Sequence, residues 1–261
     1  MNWNTEGHHN IAVGEYALGS NTEGHHNVGV GDNTLLGNYG SANTALGFYA
    51  GINSSLSNGC TFLGTGASTS AWQDNLENAT AIGAQAKVTA SHSIRLGDDQ
   101  ITSIGGQVDW TSMSDGRFKK QVKQDVKGLD FILQLRPVTY QWDVEKLESF
   151  RPKSPRADSL KFSKSDIGQM RFTGFVAQEV EQAAQAVGFD FSGVDKPANE
   201  SDPYGLRYAE FTVPLVKAVQ EQQAMIEQLQ VQMLQVQQLL SSIQEENQQL
   251  KKEVASLKTD R

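Results

Sequence analysis

Cysteine, proline and apolar residues are all scarce in this chain of 261 residues. There is one cysteine and there are six prolines, and 38% of the residues are hydrophobic. A single cysteine excludes an intrachain disulfide, and the low apolar content predicts an elongated or oligomeric protein that buries apolar surface between chains. No apolar run reaches transmembrane length, and residues 1–10 do not resemble a signal peptide. If exported, the chain is expected to travel within a larger particle or to be a fragment.

The chain is acidic, with a formal net charge of -8. Phosphate groups repel such a surface, so neither nucleic acid nor an anionic membrane is an expected partner. No cofactor or metal is expected either. Glycine and asparagine are frequent in the first part of the chain and glutamine in the last part, which divides it into segments of different architecture.

An internal repeat occupies the first segment. The sequence NTEGHHN occurs at residues 4–10 and 21–27, a period of 17. A looser unit of small or apolar residues followed by glycine continues it, with gaps of 17, 16, 17, 19 and 14. Each unit is too short to bury its apolar side alone, so the pattern predicts a stacked β-solenoid. The glycines that end the units are Gly14, Gly31, Gly47, Gly64, Gly83 and Gly97.

Two further residue types in the repeats invite a functional interpretation. The histidine pairs 8–9 and 25–26 would form a metal site if rings from several chains converged on an axis. No carboxylate or cysteine stands at ligand spacing, so exposed turns are the expected position of these histidines. Cys60 stands where neighbouring repeats carry small residues, which predicts a buried small apolar side chain.

The repeats resemble those in the head domains of trimeric autotransporter adhesins and related fibre proteins. GEYAL at residues 14–18 and GFYAG at 47–51 carry the N-x-A-V/L-G-x-x-A-L pattern. The resemblance covers roughly residues 4–97. It implies a β-roll with three chains side by side.

The middle segment, about 114–211, has the pattern of a small α/β unit. A helix is predicted over 125–135, a strand from the alternation of Val138, Tyr140 and Trp142, and a solvated loop over 146–171. A second helix is predicted from the stripe of Val176, Val180, Ala183 and Val187, followed by a short strand at Leu206 and Tyr208.

The last segment has the pattern of a coiled coil. Apolar residues alternate spacings of three and four from Ile226 to Leu257, interrupted only by Asn247 at an a position. A seam of more than four heptads predicts helix association, and the glutamine-rich flanks favour a homo-oligomer. The composition of the seam does not determine how many helices associate. The seam is Ile226, Leu229, Met233, Val236, Leu240, Ile243, Asn247, Leu250, Val254 and Leu257.

A hydroxyl and an amine stand five residues apart where the repeats give way to the helical part. A neutral lysine can act as general base for a serine, and burial favours the neutral form of a lysine. Most pairs with this spacing are solvated surface residues, so the spacing alone decides nothing. The pair is Ser114 and Lys119, within SDGRFKKQV at residues 114–122.

Sequence blocks in the second half resemble the C-terminal intramolecular chaperone domain of endosialidase tailspikes and related phage and bacterial fibres. The blocks are SDGRFKKQV, LDFILQLRPVTYQW, FTGFVAQEVEQ and YGLRYAEFTVPLVKAVQEQQAMIEQL, between residue 114 and about residue 229. The resemblance implies a domain that trimerises through its coiled coil, guides the preceding β-structure into its trimer and then cuts itself off.

The resemblance also implies residue roles. Ser114 would attack the bond between Met113 and itself, with Lys119 as base, and Asp115 and Arg117 would hold the turn. Some family members have a histidine just before the G-[FL]-[IV]-A-Q block, where this chain has Thr173. A Ser–Lys dyad must therefore suffice if cleavage occurs.

The sequence thus predicts a mixed fold: a trimeric β-solenoid over residues 1–109, a self-cleaving α/β chaperone domain over 110–211, and a parallel trimeric coiled coil over 212–261. The expected partners are two further copies, upstream fibre domains of the same polypeptide and a possible cell-surface receptor or glycan. The expected location is a virion tail fibre, an injection-machine fibre or a bacterial cell surface, with folding and cleavage in the producing cell. Two alternatives remain: a non-cleaving structural fibre tip, and an adhesin whose repeats bind a receptor.

Overall fold

A computed structural model describes residues 3–70, 75–150, 166–200 and 202–259, with side chains up to residue 252. The chain divides into two compact units, and each contains pieces that are distant in sequence. The first unit comprises residues 1–115, 137–174 and 195–205, and the second comprises residues 116–136, 175–194 and 206–261.

Parallel β-structure dominates the first unit. Six strands of three residues form one parallel sheet in the order β1-β2-β3-β4-β6-β8, and β5 pairs with β7 in a second parallel sheet. The strands are β1 (Ile11–Val13), β2 (Val28–Val30), β3 (Thr44–Leu46), β4 (Thr61–Leu63), β5 (Ser68–Thr69), β6 (Thr80–Ile82), β7 (Lys87–Val88) and β8 (Ile94–Leu96).

The strand register follows the sequence repeat. Ile11 pairs with Val28, Val28 with Thr44, and Thr44 with Thr61, so each coil places equivalent residues side by side. The pairing continues from β4 to β6 and from β6 to β8. Neighbouring coils are therefore about 4.8 Å apart. The predicted β-solenoid is confirmed.

Steric constraints explain why each repeat unit ends in glycine. Gly14 directly follows β1 and has φ +125, a backbone conformation that residues with a side chain rarely adopt. A Cβ there would lie 2.6 Å from the carbonyl carbon of Gly31 in the next coil. Gly31 has φ +123 and the same relation to Gly47. The glycines therefore allow the backbones of successive coils to approach closely at this corner.

Apolar and asparagine side chains share the interior of the solenoid. The middle residues of β4 and β6, Phe62 and Ala81, point inward, and the apolar cluster also holds Leu18, Leu35 and Cys60. Cys60 is 1% exposed, which confirms its prediction as a buried small side chain. Burial raises the pKa of the Cys60 thiol.

A ladder of buried amides runs beside this apolar cluster. The side-chain oxygen of Asn10 accepts the backbone N–H of Asn27 at 2.9 Å. Asn27 accepts from Asn43 at 2.9 Å, and Asn43 accepts from Cys60 at 3.0 Å. Each asparagine also donates its amide N–H to a backbone carbonyl, as Asn43 does to Ser57. The ladder satisfies buried polar groups between coils, which explains the asparagine-rich composition.

The remaining elements are as follows. The helices are α1 (Leu129–Ile132), α2 (Val144–Phe150), α3 (Ala177–Ala186) and α4 (Thr212–Thr259), and 3-10 turns lie at Gly116–Phe118, Asp166–Gln169 and Tyr208–Phe211. Two short sheets pair β9 (Val138–Tyr140) with β10 (Phe172–Gly174), and β11 (Val194–Asp195) with β12 (Gly205–Leu206).

Three predicted elements of the middle segment differ in extent from those observed. The first helix is confined to α1, because Gly128 precedes it and glycine is unfavourable in a helix interior. The strand β9 ends at Tyr140, before Trp142. Tyr208 begins a 3-10 turn rather than belonging to β12.

The predicted loop over 146–171 also contains helical structure. The helix α2 occupies residues 144–150, and the rest of the loop up to residue 165 lies outside the described residues. Asp143 explains the start of α2, because its carboxylate accepts the backbone N–H of Lys146 at 3.0 Å. This is the position of an N-cap side chain. That hydrogen bond lowers the pKa of Asp143.

The second unit has a core of aromatic rings and small helix residues. Phe131 of α1 is completely buried and lies edge-on to Phe189, with ring centroids 5.4 Å apart. Val180 and Ala183 of α3 are buried against this cluster, as predicted. Val176 of the predicted stripe is instead 39% exposed, because it is the N-cap residue that precedes the helix. Phe211 completes the cluster, 4.9 Å from the Phe191 ring.

The long helix α4 contributes only its first turns to this core. Pro214 and Ala218 are buried, whereas every described residue from 222 to 252 is exposed. The predicted long C-terminal helix is confirmed. None of the helices in the described part of the chain is both long and apolar enough to cross a membrane.

Candidate functional site

The predicted cleavage site lies in an exposed segment without regular structure. All residues from 101 to 114 are exposed, and Met113 is 82% exposed. The boundary between the two compact units falls between Asp115 and Gly116. The predicted scissile bond, Met113–Ser114, is therefore accessible and lies close to the point where the chain leaves the first unit.

A single 3-10 turn follows the predicted nucleophile. The turn spans Gly116–Phe118, and the backbone N–H of Lys119 donates to the carbonyl of Gly116 at 3.2 Å. The guanidinium carbon of Arg117 lies 5.7 Å from the centre of the Phe118 ring, a cation–π distance. The backbone hydrogen bond between Lys119 and Gly116 thus closes the turn, and the role of Arg117 in holding it stays a prediction.

The predicted catalytic side chains are solvent-accessible in one chain. Ser114 and Lys119 are exposed and Asp115 is half-buried. Ser114 belongs to the first compact unit and Lys119 to the second. Their pairing as a dyad stays a prediction. Lys120, the neighbouring alternative base, is exposed as well.

Thr173, which stands where some family members have histidine, lies in the middle of β10. It pairs with Thr139 of β9 in antiparallel register and is exposed. A threonine hydroxyl cannot replace an imidazole as a general base, because it does not take up a proton near neutral pH.

An ion pair that sequence reasoning missed joins two of the motif blocks. Arg136, within the LDFILQLRPVTYQW block, places its guanidinium against both carboxylate oxygens of Glu179 on α3. The Nε to Oε2 distance is 3.0 Å, and this hydrogen bonding raises the pKa of Arg136. The order of the blocks gave no signal for this pair, because the two residues are 43 positions apart.

The paired histidines form a small array on the surface of the first coils. The rings of His8 and His25 stack with centroids 3.9 Å apart, and those of His9 and His26 are 4.8 Å apart. Three of these residues are exposed and His25 is half-buried, in agreement with the predicted turns. Across the described residues, no group of three or more His, Cys, Asp or Glu side chains could hold a metal ion.

Residues 114–189 match the family model described as chaperone of endosialidase, which is a peptidase family. Residues 114–189 of the middle segment are thus similar to the chaperone domain of endosialidases. The match begins at Ser114, the predicted nucleophile, and the solenoid and α4 lie outside it. Neither the curated proteins nor the solved structures gave a match to the chain. The chaperone domain thus contains the 3-10 turn, the Arg136–Glu179 pair and Thr173.

Proposed function

We propose that this chain is the C-terminal part of a trimeric fibre or tailspike-like protein. Its chaperone domain drives trimerisation and folding of the solenoid, and then releases itself by cutting between Met113 and Ser114. The chaperone-of-endosialidase match supports the chaperone role. The observation that carries trimerisation is the exposed apolar seam of α4.

In a single chain, water surrounds this seam. The exposed fractions are 48% for Ile226, 59% for Leu229, 62% for Met233, 56% for Leu240 and 44% for Ile243. Fully burying one such side chain contributes about 1.5–3 kcal/mol. Long helices obtain most of their stability from packing of an apolar face. Parallel association of three α4 helices would bury this seam and place Asn247 at a buried layer that sets the register.

The structure of the solenoid explains why a coiled coil would assist its folding. Each strand has three residues and pairs only with strands of the neighbouring coils, so a coil has unpaired strand edges until its neighbours are in place. Association of three such chains would add contacts between chains, and non-local contacts of that kind form slowly. A parallel coiled coil holds the other two chains at high local concentration and in register, which favours correct assembly.

Self-cleavage is an intramolecular acyl transfer. The Ser114 hydroxyl oxygen attacks the Met113 carbonyl carbon, and Lys119 takes the hydroxyl proton. The C–N bond breaks, the proton passes to the departing amine, and an ester joins Met113 to the Ser114 oxygen. Water then hydrolyses the ester, which leaves a Met113 carboxylate and a free Ser114 amine. The nucleophile is adjacent to its target, so proximity takes the place of a substrate pocket.

Assembly would switch this reaction on. A lysine acts as a base only in its neutral form, and removal from water favours that form. Lys119 is exposed in one chain. Neighbouring chains in the trimer would supply the missing desolvation, so cleavage should follow trimerisation. Loss of the chaperone domain afterwards would leave a product that cannot retrace its folding path.

The test measures two quantities on the full chain. Light scattering of the intact protein should give the mass of a trimer, and a monomer or dimer mass would overturn the proposed assembly. Mass spectrometry of the assembled protein should find fragments that end at Met113 and begin at Ser114. A cut elsewhere, or an uncut chain, would refute the proposed cleavage.

A second candidate is a structural fibre tip or adhesin that does not cut itself. Thr173 in place of a histidine favours it, because the dyad then lacks a second proton carrier. In this case the solenoid would bind a receptor or glycan at a virion, injection-machine or bacterial surface. An intact trimer that binds cells through residues 1–113 would support this alternative over cleavage.

A further inference from the structure

One turn of the solenoid carries aromatic and acidic side chains in its first three coils. The turn follows the glycine that ends each repeat unit, and successive coils stack there through their backbones. The backbone N–H of Asn33 donates to the carbonyl of Glu15 at 2.8 Å, and that of Tyr49 donates to the carbonyl of Asp32 at 3.1 Å. We call the two residues after the glycine in these coils the aromatic ridge: Glu15, Tyr16, Asp32, Asn33, Phe48 and Tyr49.

Two tyrosines of the aromatic ridge have a strained backbone. Tyr16 has φ +56 and Tyr49 has φ +57, in the left-handed region that residues with a side chain adopt at a cost. Gly66 occupies the same place in the fourth coil with φ +69, so glycine fits this turn. Leu18 also has a positive φ, but it is completely buried, and burial offsets its strain.

Burial offsets the strain of Tyr16 much less, because this side chain is 52% exposed. A bulky residue that keeps a strained conformation at the surface, where glycine would fit, points to a role for its side chain there. The ring of Tyr49 lies beside that of Phe48, with centroids 4.2 Å apart. The aromatic ridge therefore presents ring surface in the first and the third coil.

Hydrogen-bonding groups stand between these rings. The exposed carboxylate of Asp32 accepts the backbone N–H of Glu15 at 2.9 Å, which fixes its position. A carboxylate has further lone pairs with which it can accept hydroxyl groups, and the amide of Asn33 can both donate and accept. Because backbone hydrogen bonds join the three coils, these groups are held in place before any ligand arrives.

The size and charge of the aromatic ridge decide which kind of partner it suits. Tyr16 and Tyr49 are two coils apart, which is about 10 Å along the solenoid axis. A stable protein complex buries about 800 Å² on each partner, far more than a ridge of this length offers. The carboxylates of Glu15 and Asp32, in a chain of net charge -8, repel nucleic acids and acidic glycans.

A neutral sugar chain matches the groups that the aromatic ridge presents. Sugar rings offer C–H faces that stack on aromatic rings, and hydroxyl groups that bond to carboxylates and amides. We propose that the aromatic ridge binds a neutral glycan that lies along the solenoid axis, with sugar rings on Tyr16 and Tyr49 and hydroxyl groups on Asp32 and Asn33. The proposal rests on the second candidate function, glycan binding by the solenoid, and names its site and its ligand class.

An array of immobilised neutral and acidic oligosaccharides tests the proposal on the full chain. Every protein carries Ser114→Ala, which keeps the chain whole. The parent should bind neutral oligosaccharides, and Tyr16→Gly and Tyr49→Gly should each bind at least about tenfold more weakly, because each loses one aromatic contact. Tyr16→Phe keeps the ring face and should retain most of the binding. Gln85→Gly is the matched control, since Gln85 occupies the same place of the turn with φ +57 but lies outside the aromatic ridge.

The glycine variants also separate binding from a structural role. Glycine relieves left-handed strain, so the melting temperature of Tyr16→Gly should be no lower than that of Gln85→Gly. A clearly lower melting temperature, or a smaller mass in light scattering than the parent, would show that Tyr16 packs within the protein or against another copy. Either result would overturn the inference.

The remaining outcomes distinguish the site from the function on which it rests. If neutral oligosaccharides bind the parent and both glycine variants equally well, the solenoid is a glycan-binding element but the aromatic ridge is not its site. If the array shows binding of acidic oligosaccharides alone, or none, the inference is wrong, and glycan binding through this turn is refuted with it. The proposed trimer and the proposed cleavage do not depend on any of these results.

Discussion

The carboxylate of Glu221 accepts a hydrogen bond from the backbone N–H of Leu129 at 2.8 Å. Glu221 lies on α4 and Leu129 is the first residue of α1, so the long helix caps the short one. The short helix has no side-chain cap of its own, because Gly128 occupies its N-cap position. This contact ties the helix predicted to trimerise to the core of the second unit, across 92 residues of sequence.

Glu221→Ala should therefore destabilise the second unit. Loss of a helix cap costs about 1 kcal/mol, and the Leu129 N–H is left partly buried without its acceptor. Chemical denaturation at fixed protein concentration measures the change. Glu227→Ala is the control, since Glu227 is exposed on the same helix and bonds only within it, to Gln223. An equal effect of the two substitutions would show that the cap does not matter.

The asparagine ladder predicts that the loss of one buried side-chain amide strongly destabilises the solenoid. Asn43→Ala removes the acceptor of the Cys60 N–H and the donor to the Ser57 carbonyl. Each buried group left unsatisfied costs about 1–3 kcal/mol. Asn58→Ala, which removes an exposed amide that accepts from Ser41, should cost less. Thermal unfolding of the two variants compares them, and similar losses would argue against the ladder as a source of stability.

Disruption of the seam should abolish assembly. Leu240→Gln with Ile243→Gln places polar groups in two successive layers of the predicted coiled coil, which removes apolar burial in every chain. We expect loss of the trimer by light scattering and aggregation of the solenoid. Leu234→Gln is the control, because Leu234 is 59% exposed but lies off the seam. A soluble trimeric double variant would contradict the chaperone role of α4.

Two single substitutions should separate cleavage from assembly. Ser114→Ala removes the nucleophile and Lys119→Ala the base, so both variants should stay full length on a denaturing gel while remaining trimeric in solution. Lys120→Ala should still be cut, because its spacing from Ser114 is one residue longer. Cleavage of Lys119→Ala at the wild-type rate would remove that lysine from the mechanism.

The histidine array predicts a pH dependence of the first coils. Desolvation against the stacked rings, and repulsion from His25, His9 and His26, lower the pKa of His8 from its ordinary value of 6.5. The unfolded chain then binds a proton more readily than the folded one, so stability is complete above pH 6.5 and falls as the pH drops below it. Thermal unfolding of wild type between neutral pH and pH 5 should show this loss, and His8→Gln should reduce it. If wild type and His8→Gln lose the same stability between neutral pH and pH 5, His8 is not the source of the pH dependence.

The sequence by itself determined the periodic parts of this protein. The regular spacing of the glycine-ended units predicted a stacked solenoid, and the structure aligns residues one repeat apart in parallel strands. The helical spacing of Leu229 and Leu240 predicted α4, and the motif that begins at Ser114 predicted the chaperone family. These signals lie within a short stretch of chain and need no knowledge of distant contacts.

Only the tertiary structure decided which residues meet across long separations. It brought Arg136 to Glu179 and Glu221 to Leu129, and aligned Asn27 with Asn43 inside the coil. Hydrogen bonds of this kind depend on how elements pack, and charged or amide residues look alike in sequence whether exposed or paired. The physical reason is that periodicity is a property of the local backbone, whereas a side chain's partner depends on the packing of the whole unit.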